Sequence, residues 1–412
     1  MSVSSHVFAR WSARRGGHSS SQRPPRPHRA LRKVLDLDDF ERVVRPRLPS
    51  AVYSYVAHGS ETESTLRSNR TAFDDWELVT RVLVGVRDRT QETELFGTRY
   101  SAPFGIAPMG GSALVAYQGH TVMAKAAAAA GIPFILSANS IIPLEEVAAA
   151  NPNSWFAAYQ RPTREAVEGM VARVAKAGIK VLAVTADVPI GSNREADARE
   201  GFSFPIRPTP RLALQTAMHP GWLFGTFGRT LLKRGNPHIV NLGPDGGPGL
   251  FSQEVKKIAA HEGLSWDHIK LMRELWKGPL VVKGILSPAD VAFGRQIGLD
   301  GIIMSNHGGR QLDYTPPPIR LLPAAIEAAR GMPVMIDSGF RRGTDIVKAL
   351  ALGARAVFIG RPFLFAAALA GEQGVTHAIS LLKRELDKDM ALLGVHRVDE
   401  IGRDKLLEVH KT

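Results

Sequence analysis

The chain has 412 residues, 44% of them hydrophobic, and a formal net charge of +13. That is ample material for a large core, and one barrel of roughly 250 residues with additions would account for the length. Cysteine is absent, which excludes a disulfide framework, Cys-ligated zinc and a thiol nucleophile.

The charge is uneven. Eight Arg/Lys and no Asp/Glu fall in residues 1–33, which leaves +5 for the remainder. The basic character therefore belongs to an N-terminal arm and not to a folded face, so no nucleic acid is expected as a partner. The arm is rich in Arg and Ser, carries Pro24, Pro25 and Pro27, and has no long apolar run. It reads as a disordered tail over residues 1–33, or as a mitochondrial transit peptide, because such peptides are Arg- and Ser-rich and poor in acids. It fits neither a secretory signal nor a membrane span.

A single domain is expected over residues 34–412. It opens with a helix capped by Asp36 and carrying Phe40, Val43 and Val44, and a second helix over 51–58 stops at Gly59. Eight short apolar, β-branched runs follow at 104–109, 133–137, 154–159, 181–187, 280–284, 301–306, 333–338 and 356–360. They alternate with helical stretches that include 121–130, 144–150, 164–177, 288–297, 323–329 and 345–352. Continuous apolar runs suit parallel strands buried on both faces. Eight βα units predict a closed (β/α)8 barrel, while the runner-up, an open Rossmann sheet, lacks the Gly-x-Gly-x-x-Gly turn after its first strand. One connection, residues 188–279, is too long for an ordinary barrel loop. It holds His219-Pro220-Gly221-Trp222 and a basic, apolar stretch over 223–234. This reads either as a lid or packing insertion, or as a segment that lies on a membrane surface through residues 211–241.

In such barrels the catalytic groups gather at the C-terminal ends of the strands. Those ends carry Met109-Gly110-Gly111, Ser137, Tyr159, Thr185, Asp187, Lys283, the segment Ser305-Asn306-His307-Gly308-Gly309-Arg310, Asp337-Ser338-Gly339-Phe340-Arg341, and Gly360-Arg361. Gly339, Arg341, Gly360 and Arg361 follow the last two strands, where barrels often bind phosphate; the bland alternative pairs both arginines with surface acids. Lys283 in a barrel mouth is costly without an anionic partner, and suits either a Schiff base or the stabilisation of an anionic reduced cofactor. His307 is a proton acceptor near neutral pH, Asp187 can orient it, and Arg310 can clamp a carboxylate through two hydrogen bonds. Together they describe a site for an organic acid that loses a proton. No convincing nucleophile accompanies them, which argues against hydrolysis, and no metal site is expected.

The run Ser305-Asn306-His307-Gly308-Gly309-Arg310-Gln311-Leu312-Asp313 resembles the signature of the FMN-dependent 2-hydroxy-acid oxidase and dehydrogenase family, which includes glycolate oxidase, lactate oxidase, and mandelate and lactate dehydrogenases. The resemblance also covers Tyr53-x-Tyr55-x-x-x-Gly59, Asn69-Arg70, Thr185-Ala186-Asp187, Arg194-Glu195-Ala196-Asp197, Lys283-Gly284, the segment from Asp337 to Gly343, and Gly360-Arg361-Pro362. It implies FMN as cofactor and a homotetramer. It implies that His307 takes the substrate hydroxyl proton while the α-hydrogen passes to flavin N5, with Asp187 as its partner. Arg310, Arg194, Tyr55 and Tyr159 would bind the substrate. Lys283 would stabilise the reduced ring, Ser137, Thr185 and Ser305 would join the cofactor site, and Ala107, Pro108 and Met109 would cover its face. Asp337, Gly339, Arg341, Gly360 and Arg361 would hold ribityl and phosphate.

The sequence departs from the family pattern at several positions. Ala157 stands two residues before Tyr159, where members commonly carry a flavin-contacting Gln. Met109 replaces a small residue, Asn139 an aromatic of the glycolate type, and Gly191 a larger apolar residue. These bear on which acid is used and leave the reaction class alone. Gly110, at a position often Ala in the family's oxidases and often Gly in its membrane-linked dehydrogenases, and the long insertion, which resembles that of the membrane-associated lactate and mandelate enzymes, imply a dehydrogenase that passes electrons to a quinone-type acceptor over an oxidase that uses oxygen. The expected location is cytoplasmic, peripheral on the inner membrane face, or mitochondrial if the arm is a transit peptide. A non-catalytic flavin-binding protein is the non-enzymatic alternative, disfavoured because Tyr55, Tyr159, Asp187, Arg194, Lys283, His307 and Arg310 are all present.

Overall fold

A computed structural model describes residues 28–159, 162–243, 246–254 and 261–409. Eight short strands form one parallel sheet: β1 (Phe104–Ile106), β2 (Ile135–Ser137), β3 (Trp155–Ala158), β4 (Leu182–Thr185), β5 (Leu280–Ile285), β6 (Gly301–Met304), β7 (Val334–Ile336) and β8 (Ala356–Ile359). β8 pairs with β1, Val357 opposite Phe104 and Ile359 opposite Ile106, and a bridge between Ile106 and Phe134 closes the seam. This is the expected (β/α)8 barrel, and every predicted run coincides with one of its strands, β5 extending one residue past its run. Most strands stop before their run does, so Met109, Asp187 and Asn306 lie on loops just beyond the ladder.

Side chains alternate between two buried layers, which is why the runs read as continuously apolar. One set, with Ile135, Trp155, Ala183, Val281, Ile303, Met335 and Phe358, fills the barrel. The other, with Phe104, Leu136, Phe156, Val184 and Ile302, packs against the surrounding helices. A hairpin of Thr93–Leu95 and Thr98–Tyr100 lies at the N-terminal end of the barrel. Its Tyr100 hydroxyl accepts from Trp155 Nε1 at 3.1 Å, and Phe96 and Phe358 both pack on the Trp155 ring. That end is sealed, so a ligand has access only at the opposite, C-terminal mouth.

The helices follow the sequence reading with small shifts. Asp36 caps Leu37–Val44 by accepting from Asp39 N at 3.0 Å, and the second helix is Ser50–Ala57. The stretch expected from Pro323 begins earlier, at Pro318, and keeps Pro323 inside the helix at the cost of one backbone hydrogen bond. Disorder does not hold for the end of the arm. Arg29–Lys33 form a 3-10 helix with Leu31 buried, and His28 N donates to Gln373 Oε1 at 3.0 Å. The rest of the arm lies outside the described residues.

The long connection contains the barrel's own fourth helix, Trp266–Leu275, besides the shorter helices Glu195–Glu200 and Pro210–Ala217 and the helical stretch from Pro220 to Arg234. Trp222 is buried rather than presented to a surface: its Nε1 donates to Leu114 O at 2.8 Å and its ring stacks on Phe227. Leu214, Met218, Phe224 and Leu232 are instead exposed, the last two at 71% and 90%. Among the described residues no helix is long and apolar enough to cross a membrane.

Candidate active site

The C-terminal mouth of the barrel opens into a cleft that, counted with the solvent-filled space at its entrance, encloses about 1010 Å³. Its wall includes Ala107, Pro108 and Met109 after β1, Tyr159 after β3, Lys283 on β5, and His307 and Arg310 after β6. Asp337, Gly339 and Arg341 after β7, Gly360 and Arg361 after β8, Tyr55 from the N-terminal helices and Arg194 from the long connection complete the predicted set. Ser137, Thr185 and Ser305 are buried behind this wall at or just after their strand ends, and Asp187 is partly buried just after β4.

Lys283 is fixed by the barrel itself. Its ammonium donates to Ser305 Oγ at 2.8 Å and lies 3.1 Å from Asp337 and 4.0 Å from Asp187. Burial pushes its pKa down, but Asp337 and Asp187 outweigh burial and hold it above the usual lysine range. It is therefore a permanent cation, which does not suit a Schiff-base amine. The ladder is irregular after it, at Gly284, where φ is +101° and a side chain would strike Asp187. Glycine there lets the carboxylate of Asp187 sit close to β5.

The His307 imidazole meets Asp187 through Nδ1 at 3.0 Å. The carboxylate can only accept, so Nδ1 carries the proton and Nε2 keeps a lone pair. Burial depresses the His307 pKa, and Asp187 opposes that only in part. Asp187 is held below its ordinary value despite burial, by His307 and Lys283. The ring is thus a neutral base beside a fixed carboxylate. His307 has φ of +57°, and Gly308 and Gly309 continue in the left-handed region. This uncommon backbone is pinned by Ser305 Oγ, which accepts from His307 N at 2.9 Å, and by Ser338 Oγ, which accepts from Gly308 N at 3.1 Å.

Three guanidinium groups make the cavity strongly cationic. Arg310 donates to the carbonyls of Tyr55 and His58, Arg361 to those of Val56, Gly308 and His58, and Arg194 to Ser192 Oγ and Gln311 Oε1. Among the described residues none of the three forms an ion pair. Burial, with Arg194 nearby, pushes Arg310 down to about 10; burial, with Arg310 and Arg341 nearby, pushes Arg361 down to about 9. Partly buried cations that repel one another call for an anion, and among the described residues no carboxylate lies within ion-pair distance of these three. Arg341 differs, because it pairs with the exposed Asp38 at 2.9 Å, so the bland alternative holds for one arginine and not for the other.

FMN fits these residues. Its phosphate suits the unpaired Arg361, its ring carbonyls suit Lys283, and the Thr185 hydroxyl is buried with no hydrogen-bond partner among the described residues. The departures from the family pattern also find places. Ala157 is fully buried inside the barrel opposite Ser137, Met109 and Asn139 line the cavity, and Gly191 faces open space. Residues that the strand-end reading did not single out are Val56, Val188 and Leu364 on the wall, and the buried His120 behind Met109. His120 lies well beyond its strand end, in the first turn of a helix, where the strand-end register carries no signal.

The fold and the cavity define a flavin-binding barrel oxidoreductase. The chain belongs to the FMN-dependent dehydrogenase family, whose model matches residues 44–408. It is 39% identical over 377 residues to an L-lactate dehydrogenase of Xanthomonas campestris pv. campestris, covering 90% of this chain and 96% of that one. Among solved structures it is similar to the monotopic membrane protein (S)-mandelate dehydrogenase, with a TM-score of 0.83 and 34% identity over 91% of this chain and 99% of that one. It is also similar to a mandelate oxidase, with a TM-score of 0.76 and 31% identity over 92% of this chain and all of the other. The protein is therefore an FMN-dependent enzyme that oxidises CH–OH donors.

Proposed function

We propose that the substrate is a small L-2-hydroxy acid of the lactate or mandelate type, oxidised to its 2-keto acid with His307 as the base. The observation that carries this reading is the neutral His307 imidazole, backed by the Asp187 carboxylate, on the wall of a cavity in which Arg194 and Arg310 form no ion pair among the described residues. Arg310 and Arg194 bind the substrate carboxylate, and the hydroxyls of Tyr55 and Tyr159 orient it. His307 Nε2 takes the hydroxyl proton, and Asp187 stabilises the resulting imidazolium. FMN, when bound, supplies the acceptor for the electron pair that leaves the α-carbon. Lys283, held charged by Asp337 and Asp187, offsets negative charge in the cofactor site.

The electron acceptor in this reading is a membrane quinone. Leu214, Met218, Phe224 and Leu232 are exposed on a segment that also carries Arg229 and Lys233, and the similar mandelate dehydrogenase is a monotopic membrane protein. Residues 211–241 would rest on the membrane. An oxygen-using oxidase is the second reading, favoured by the similarity to a mandelate oxidase. Anaerobic bleaching of the flavin by a panel of 2-hydroxy acids tests the reaction. If no acid bleaches it, the proposal fails. Rapid recolouring in air with peroxide formed selects the oxidase, whereas slow recolouring hastened by a quinone analogue selects the dehydrogenase.

A further inference from the structure

Behind the wall of the cavity, outside the groups used above, lies a fully assembled hydrogen-bond node centred on His120. The ring belongs to the first turn of the helix Gly119–Ala130 and is buried. Its Nε2 lies 2.7 Å from the Met109 carbonyl, and its Nδ1 lies 2.7 Å from Ser112 Oγ and 2.8 Å from Ser140 Oγ. A carbonyl only accepts, so Nε2 carries the proton. Ser140 Oγ also lies 3.1 Å from the carbonyl of Ile142, to which it can donate, leaving Ser112 to donate to Nδ1. Burial pushes the ring's pKa down to about 4, consistent with one neutral tautomer and with three uncharged partners. The node ties the loop after β1, the turn at Ser112, the start of the helix and the loop after β2 to one another.

The consequence for the cavity follows from peptide geometry. The Met109–Gly110 peptide is trans, so its carbonyl and its N–H point in opposite directions. His120, which does not line the cavity that Met109 and Gly110 line, holds the carbonyl, so the N–H of the same peptide points away from the His120 ring. The Gly110 N–H, on the other side, has no hydrogen-bond partner among the described residues. On the following peptide, Gly111 N donates to Asn139 O at 3.0 Å and the Tyr55 hydroxyl donates to Gly110 O at 3.2 Å, so the loop is held at two successive peptides. A backbone donor without a protein partner, on a residue that lines the cavity, is a ready hydrogen-bond donor to an acceptor atom there.

We infer that His120 is a positioning residue: it fixes the Met109 carbonyl outward and so presents the Gly110 N–H to the flavin. This rests on FMN occupying the cavity and not on the identity of the acid or the acceptor.

The test is the FMN dissociation constant, flavin reduction potential and visible spectrum of three variants, read beside kcat and KM. His120→Leu removes the ring donor and should weaken FMN binding about tenfold, shift the potential and lower kcat more than it raises KM. His120→Gln, whose amide can reach the same carbonyl, should return each value most of the way. If His120→Leu does not fold, the double variant Ser112→Ala with Ser140→Ala keeps the ring but releases its tautomer and position, and the same flavin readouts should move in the same direction. A flavin with unchanged affinity, potential and spectrum in the folded variants, with only the melting temperature lowered, would mean that His120 is structural and overturns the inference. If the wild-type protein itself bound no FMN, the cofactor reading would fail instead.

Discussion

Asn69 and Asn306 bond to each other through both ends of their side-chain amides: Asn69 Nδ2 donates to Asn306 Oδ1 at 2.9 Å and Asn306 Nδ2 donates to Asn69 Oδ1 at 2.7 Å. Both are buried. The pair joins the helix Ser64–Thr71 to the residue just before His307, and Asn306 Oδ1 also accepts from Gly309 N at 3.2 Å. Close by, Gly339 has its α-carbon against the Asn69 carbonyl, where any side chain would collide. Asn69→Ala leaves a buried amide half-satisfied, a loss of about 1–3 kcal/mol of stability. Because the left-handed backbone of His307 depends on this loop, kcat/KM should fall at least about tenfold beyond what unfolding explains. Steady-state kinetics below the melting transition check this; a lowered melting temperature with unchanged kcat/KM would confine the pair to a structural role.

The His307 pair sets the acid side of the pH profile. Its pKa is depressed, chiefly by burial, so the neutral base persists through neutral pH and somewhat below the ordinary histidine value of about 6.5. The rate should therefore be flat near pH 7 and fall only in more acid solution, as the ring and then Asp187 take up protons. His307→Gln should give a folded, yellow protein with activity lowered about a hundredfold or more. Asp187→Asn removes the opposing charge and should move the acid limb further down in pH while lowering kcat. An acid limb that stayed in place in Asp187→Asn would show that another group controls it.

Arg310 is doubly committed, to the carbonyls of Tyr55 and His58 on one side and to the cavity on the other, and its guanidinium lies 5.1 Å from the Tyr55 ring centre. Lysine cannot reproduce both the fork and the stacking. Arg310→Lys should raise KM for the hydroxy acid by about ten- to a hundredfold and lower kcat less, since the carboxylate is held in ground and transition states alike. Equal KM in variant and wild type would move the carboxylate clamp to Arg194.

Much of this site was legible because a barrel places its chemistry in one register. Once eight buried strands are recognised, Lys283, His307, Asp337 and Arg361 fall at one end without any further assumption. What the sequence did not reveal depends on contacts between distant segments. Nothing local to Arg341 says that it pairs with Asp38, and nothing local to Trp222 says that it is buried against Leu114 and not set at a membrane. Asn69 and Asn306 stand 237 positions apart, and His120 acts through a carbonyl 11 positions before it. Such polar nodes leave no periodicity, because a single side chain reaching one partner creates no repeat to read.

The apolar segment gives a test of location. Phe224 and Leu232 are exposed in a protein whose aromatic side chains are otherwise mostly in the core, and exposure of large apolar groups on one segment marks a contact surface. Phe224→Ser with Leu232→Ser should leave flavin content and kcat with a soluble quinone analogue unchanged, while sharply reducing sedimentation with vesicles that carry anionic lipid. Equal sedimentation of variant and wild type would place membrane contact elsewhere.

Arg361 is half-buried, donates only to carbonyls, and is pushed down to about 9 by burial with Arg310 and Arg341 nearby. In the free protein this cation is a liability, because among the described residues it has no ion-pair partner; FMN phosphate would supply one. FMN should therefore stabilise the protein by more than its apolar contacts alone supply, and the melting temperature should rise with FMN concentration as binding to the folded state requires. Arg361→Met keeps the apolar stem and removes the charge. It should weaken FMN binding by about a hundredfold, equivalent to about 2.7 kcal/mol, and shrink the FMN-induced rise in melting temperature accordingly. The same substitution at Arg341, which already has Asp38 as a partner, should cost less. Equal losses at the two positions would show that the phosphate is shared between them despite the ion pair.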